Sequence, residues 1–161
     1  MRPLLARKLQ IAVVGDGKAT VAVADLAKKV GSLLAQRGAV VVCGGLGGVM
    51  EAAASGATAA GGLTVGILPT YDVTTANASI AVTIPSGMGH ARNVLVVSSG
   101  HAVIAFPGAH GTRSEISLAL KIGKTVIGLQ AWGDIPGVQR VETPEEAVEL
   151  ALRAARAMLE I

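Results

Sequence analysis

The sequence predicts an α/β fold in which a doubly wound sheet, mostly or wholly parallel, is covered by helices on both faces. Three observations predict it. Short runs of Val, Ile, Leu and Ala alternate along the chain with segments whose apolar residues recur at helical spacing. Within the short runs consecutive positions are apolar, as strands buried on both faces require. The 21 glycines follow no collagen-like period and fall between the two kinds of segment, where tight strand–helix turns belong.

The elements follow in order. Leu9 to Val14 is an apolar strand, and Ala22 to Gln36 places Val23, Leu26, Ala27, Val30, Leu33 and Leu34 on one helical face. Arg37-Gly38 closes that helix with a cation and then a glycine. Val40 to Cys43 is a second strand, Gly44 to Gly48 a turn, Val49 to Ala60 a helix of small residues ended by Gly61-Gly62, and Leu63 to Leu68 a third strand. Pro69 to Ala78 reads as loop, Ile80 to Ile84 as strand, Met88 to Ser98 as helix, and Ala102 to Phe106 as a fully apolar strand. Gly111 to Ile122 makes a helix, Val126 to Leu129 a strand, and the segment around Trp132 to Pro136 a loop. Thr143-Pro144-Glu145-Glu146 starts the last helix, with Thr as N-cap, Pro at the first position and Glu closing a capping box; the helix is predicted to run to the C-terminus.

A chain of 161 residues that is 51% hydrophobic buries one sizeable core, so residues 1–161 are expected to form one domain without linker or internal repeat. Arg2, Arg7 and Lys8 precede a short apolar run, but Gln10 interrupts it and Gly15-Asp16-Gly17 ends it too early for a signal-peptide core. No apolar stretch approaches the roughly 18 to 20 residues of a membrane span. The single cysteine, Cys43, excludes an internal disulfide and fits a reducing, cytoplasmic setting; following three valines, it reads as a small buried hydrophobe. The net charge is +3, yet the basic residues are scattered, and only Tyr71, Phe106 and Trp132 are aromatic. Nucleic acid is therefore not the expected partner. With 16% charged residues to cover its helices, the chain is expected to bury apolar surface in a homo-oligomer.

In a parallel sheet ligands bind beyond the carboxyl ends of the strands, so function is sought in the turns that follow them. Four such turns are glycine-rich: Gly15-Asp16-Gly17-Lys18, Gly44-Gly45-Leu46-Gly47-Gly48, Pro85 to Asn93, and Pro107-Gly108-Ala109-His110-Gly111-Thr112. Several at one sheet edge favour a backbone cradle for anionic oxygens. Dinucleotide and Walker fingerprints fail: Thr20 stands where the third glycine belongs, Cys43 where a ribose-binding acid is wanted, and Gly123-Lys124-Thr125 leads from helix into strand with Leu118 in the first glycine's place.

Charge placement adds to this. Between Asp72 and Glu115 the chain has no acidic residue, while Arg92, Arg113, His90, His101 and His110 lie in the interval, so this half of the pocket is expected to be electropositive. Arg92 falls in a first helical turn, where a cation opposes the helix dipole. An anion is expected beside it, either Glu115 or a ligand phosphate. Thr112-x-x-Glu115 also reads as a capping box. The histidines are not at metal-ligand spacing, and no metal site is expected.

Pro107-Gly108-Ala109-His110-Gly111-Thr112-Arg113-Ser114-Glu115 resembles the PGGxGTxxE motif of the lonely-guy phosphoribohydrolases and the proteins labelled "possible lysine decarboxylase". Met88-Gly89-His90-Ala91-Arg92-Asn93 is similar to the motif that supplies their arginine. Gly44 to Ala53, with Gly66-Ile67-Leu68-Pro69, resembles more closely the short subfamily that contains molybdenum-cofactor carrier proteins. The resemblance runs from Ile11 to about Leu129. It implies a Rossmann-like fold, a homodimer or homotetramer, and a phosphorylated small molecule as partner. AMP-like nucleotide, phosphate and molybdenum cofactor are the ligands it points to, with no cofactor required for chemistry. The implied catalytic pair is Arg92 and Glu115, cleaving the N-glycosidic bond of a nucleoside 5′-monophosphate; the alternative is a carrier that binds without turnover. The expected ligand and phosphate contacts are Gly15, Gly44, Gly45, Gly47, Gly48, Met88, Gly108, Gly111 and Thr112. Ala109 stands in place of the motif's second glycine, which costs roughly 1 to 2 kcal/mol if that residue needs positive φ. Nothing in the chain resembles a pyridoxal-phosphate lysine site.

Overall fold

The structure, a computed structural model, describes residues 6–160; Arg2, and Ile161 at the end of the last predicted helix, lie outside that range. Its elements are β1 (Gln10–Val14), α1 (Val21–Gln36), β2 (Val40–Cys43), α2 (Val49–Ala59), β3 (Thr64–Leu68), β4 (Val82–Pro85), α3 (Arg92–Ser99), β5 (Ala102–Ala105), α4 (His110–Lys121), β6 (Thr125–Leu129), β7 (Val138–Val141) and α5 (Pro144–Leu159). All seven strands join one parallel sheet in the order β4-β3-β2-β1-β5-β6-β7.

The unbroken apolar strands explain the two-sided burial. Ile11 and Val13 of β1 face a core built with Ala27, Val30 and Leu34 of α1, Ala53 and Ala57 of α2, and Val148 and Leu152 of α5. Their neighbours Ala12 and Val14 face the opposite core, with Val96 and Val97 of α3 and Ile116 and Ala119 of α4. The sheet is doubly wound, and its winding reverses between β1 and β5.

The helix starts follow the chemistry of their caps. The Thr20 hydroxyl accepts the Val23 N–H at the start of α1. At α5 the predicted capping box forms: the Thr143 hydroxyl accepts the Glu146 N–H at 3.2 Å, and the Glu146 carboxylate accepts the Thr143 N–H at 3.4 Å.

The structure departs from the sequence reading in four places. The segment 138–141, for which the sequence pattern predicts no element, is the edge strand β7; with Gln139 and Arg140 exposed it lacks the run of apolar residues that marks the other strands. Strand β4 covers Val82–Pro85 rather than residues 80–84. The helix expected from Met88 divides into a 3-10 turn, Gly89–Ala91, followed by α3. Finally, α4 begins at His110 with Ala109 as N-cap, so Thr112 lies inside the first turn and caps nothing. The capping-box reading of Thr112 and Glu115 is thereby overturned.

Candidate functional site

At the carboxyl ends of β1 and β5, where the winding reverses, a cleft of about 160 Å³ opens. Gly15, Asp16 and Gly17 after β1 form one wall, His90, Arg92 and Asn93 a second, and Ala109, Gly111, Thr112 and Glu115 of the α4 start a third. A larger groove of about 700 Å³ runs beside β7 and the first turns of α5, but Glu142, Glu145, Glu146 and Glu149 line it, which is the wrong charge for a phosphate.

The strand-end loops brace one another. The Asp16 carbonyl accepts the Val49 N–H at 3.0 Å, and the Asp16 N–H donates to the Pro107 carbonyl at 3.2 Å, so the β1 loop hangs between the loops of β2 and β5. Gly48, at φ +63°, allows the close approach: a methyl group there would stand 2.2 Å from the Asp16 carbonyl oxygen. The Asp16 carboxylate is spent within its own loop, accepting the Lys18 N–H at 3.0 Å.

Arg92 is buried, with 8% of its surface exposed. Its Nη1 donates to the Asn93 Oδ1, and among the described residues its Nε has no partner. Gly44 makes room for the guanidinium, because a methyl group there would lie 2.7 Å from Nη2. Burial pulls the guanidinium below its ordinary pKa, opposed by the field of Glu115. Conversely, burial pushes the Glu115 carboxyl up to about 7 against the lowering effect of Arg92. The two groups therefore feel each other across the cleft. They form no ion pair; the pairs among the described residues are Arg37–Glu149, Arg113–Asp134 and Arg140–Glu142, all at the surface.

The start of α4 supplies donors. Its first helical bond runs from the Arg113 N–H to the Ala109 carbonyl, and no side chain caps the end, so the N–H groups of His110, Gly111 and Thr112 lack backbone partners. Such a helix start is suited to an anion. Ala109 sits at φ −112°, so the alanine in the motif's second glycine position carries no left-handed strain.

Of the predicted contacts, the cleft gathers Gly15, Gly111 and Thr112 together with Arg92 and Glu115. Gly44 touches Arg92 from behind, Gly108 packs on the Thr112 hydroxyl, and Gly45 packs on Leu68. Gly47 and Gly48 sit against the backbone of Asp16 and Gly17, and Met88 is half-exposed at the head of the 3-10 turn. Three of the basic residues counted toward the pocket do not line it, His110 among them, exposed at the start of α4. His101 is at the amino end of β5, where its Nδ1 accepts the Gln10 N–H at 2.9 Å, and Arg113 turns away to stack 5.1 Å from the Trp132 ring centre. Sequence reading missed the cleft positions of Asp16, Gly17 and Asn93. For Asn93 the available signal was an amide acceptor next to an arginine bound for burial.

The burial of Cys43 pushes its thiol up to about 11, the state of an inert packing group. Among the described residues no helix is long and apolar enough to cross a membrane.

Fold and cleft together define a Rossmann-like α/β protein with a polar switch-point site. The chain belongs to the SLOG cluster4 family, whose model matches residues 8–158. This bears out the resemblance read from the motifs. The chain is 45% identical over 147 residues to an uncharacterized protein of Archaeoglobus fulgidus, covering 91% of this chain and 97% of that one. Among solved structures it is similar to the molybdenum cofactor binding protein of the phototrophic bacterium Rippkaea orientalis, with 37% identity, a TM-score of 0.86, and coverage of 91% and 97% of the two chains. It is similar also to the molybdenum cofactor carrier protein of Chlamydomonas reinhardtii, at 29% identity and a TM-score of 0.85, over 92% and 98%.

Proposed function

We propose that this protein binds a phosphorylated pterin of the molybdenum-cofactor kind and carries it without transforming it. The observation that carries the reading is the Arg92 guanidinium, buried with an unpartnered Nε on the wall of a cleft that also takes in the bare start of α4. A buried cation with an idle donor implies an anionic partner. The similarity to two molybdenum-cofactor-binding proteins along nearly the whole chain supports a pterin over other phosphorylated ligands.

The cleft fits part of such a ligand. At about 160 Å³ it is smaller than the roughly 300 Å³ at which sites for drug-sized ligands begin. It suits a phosphate and the atoms next to it, leaving the heterocycle over the rim. Arg92 and the N–H groups of Gly111 and Thr112 hold the phosphate in this reading, and the glycine turn Gly44–Gly48 keeps Arg92 and the Gly15–Gly17 loop in place. The protein is proposed to work in the cytoplasm as a homodimer or homotetramer, covering the exposed Tyr71, Val73, Val82, Ile84 and Met88.

One observation favours a second reading, hydrolysis of a nucleoside 5′-monophosphate. Glu115, half ionised near neutrality beside Arg92, has the titration range of a general acid–base. The experiment that separates the readings incubates the protein with a panel of nucleoside monophosphates and monitors base release, alongside calorimetric binding of a pterin monophosphate. The carrier reading expects binding with no base released. Sustained base release lost in Glu115→Gln would replace it with the hydrolase reading.

A further inference from the structure

Asn93 stands beside Arg92 in the cleft wall and is more deeply buried, with 4% of its surface exposed. Its amide has two ends of opposite character. A guanidinium has donors only, so the end that meets Arg92 Nη1 must be the oxygen, as the geometry has it. The Nδ2 end is thereby turned away from Arg92, and among the described residues it makes no hydrogen bond to a protein acceptor. Arg92 Nε is the one buried side-chain nitrogen or oxygen without a partner among the described residues, so Asn93 Nδ2 is not sealed in the core but open to the cleft, where a ligand can supply its acceptor.

We propose that Asn93 is a ligand-binding residue with a double role: it holds Arg92 without neutralising it, and its Nδ2 donates to an oxygen of the bound phosphate. This rests on the phosphate reading of the cleft and deepens it. A carboxylate at position 93 would hold the guanidinium as firmly, but would cancel its charge and place an acceptor where the anion's oxygens lie. The neutral amide leaves the positive charge free for the ligand. It also explains how Arg92 tolerates burial with Glu115 out of ion-pair reach: one guanidinium N–H is satisfied by Asn93. The binding set is then three-sided, made of Arg92, the Asn93 amide, and the N–H groups of Gly111 and Thr112. Three-sided donation suits a tetrahedral oxyanion such as a terminal phosphate monoester better than a flat carboxylate.

The test is a calorimetric titration of inorganic phosphate and of ribose 5-phosphate into wild type, Asn93→Asp and Asn93→Ala, each at several salt concentrations, with melting temperatures recorded in parallel. Asn93→Asp is expected to melt no lower than wild type, to bind both ligands at least tenfold more weakly, and to lose most of the salt dependence of binding, since the cation in the cleft is cancelled. Asn93→Ala keeps the charge but loses the donor, and is expected to bind about fivefold more weakly with its salt dependence retained. Affinities within twofold of wild type in both variants would overturn the role of Asn93 while leaving the phosphate reading standing. Failure of wild type to bind either ligand would overturn both.

Discussion

Arg92 and Glu115 share one cleft without forming an ion pair, and the field of each opposes the burial shift of the other. A permanent cation and a carboxyl that changes state near neutrality thus face the same small volume. Several consequences can be measured.

The first concerns affinity and pH. Because burial raises the Glu115 carboxyl to about 7, acidification through that range neutralises it and removes a repulsion from any bound anion. Sulfate, which stays a dianion throughout, isolates the effect from titration of the ligand. Its affinity is expected to rise as pH falls, by up to about tenfold per pH unit above the midpoint for one linked proton, levelling off below it. Glu115→Gln should bind sulfate tightly and independently of pH over the same interval.

The second concerns stability. In the folded protein Glu115 holds its proton up to about 7, whereas the ordinary value of a glutamate is 4.5. A group whose folded pKa is raised contributes stability that is present in full below the ordinary value and lost as pH climbs through the folded one. The ligand-free protein should therefore lose up to about 3 kcal/mol between those limits relative to Glu115→Gln, read from urea unfolding at successive pH values.

A third prediction tests the seat of the guanidinium. Gly44→Ala would put a methyl group 2.7 Å from both Arg92 Nη2 and the Met50 Sδ. Both are ends of flexible side chains, so the fold should survive at a cost of about 1 to 2 kcal/mol while Arg92 is displaced. Phosphate affinity, followed by calorimetry, is expected to fall at least tenfold.

A fourth prediction separates the cleft from its surroundings. The Trp132 indole N–H donates to the Phe106 carbonyl at 2.7 Å, in a loop where Trp132 itself sits at φ +64°, yet Trp132 does not line the cleft. Trp132→Phe should cost about 1 to 2 kcal/mol in thermal unfolding and leave phosphate affinity unchanged.

Much of this was legible in the chain. The strands β1, β2, β5 and β6 showed themselves because burial on both faces leaves no polar position to blur the pattern. Strand β7 did not, because Gln139 and Arg140 at a sheet edge carry no such constraint. Arg92 and Glu115 could be paired from motif and charge placement, since an arginine in a first helical turn requires an anion. The orientation of Asn93 was hidden: it follows from which nitrogen of Arg92 it meets, and that depends on Gly44 and the 3-10 turn before α3. The reading of Thr112 failed because two helix starts three residues apart fit the same letters, and only the backbone of Ala109 chooses between them.

The claim at the centre of this account is that a phosphorylated pterin rests on Arg92 and leaves unchanged. It is tested most directly by purifying wild type and Arg92→Ala from a host that makes molybdenum cofactor, oxidising the released small molecules, and measuring pterin fluorescence and mass per protomer. The account predicts an intact phosphorylated pterin with wild type and a loss of at least tenfold with Arg92→Ala, both proteins melting cooperatively. Equal pterin on the two proteins, or none on wild type from a host with ample cofactor, would contradict it.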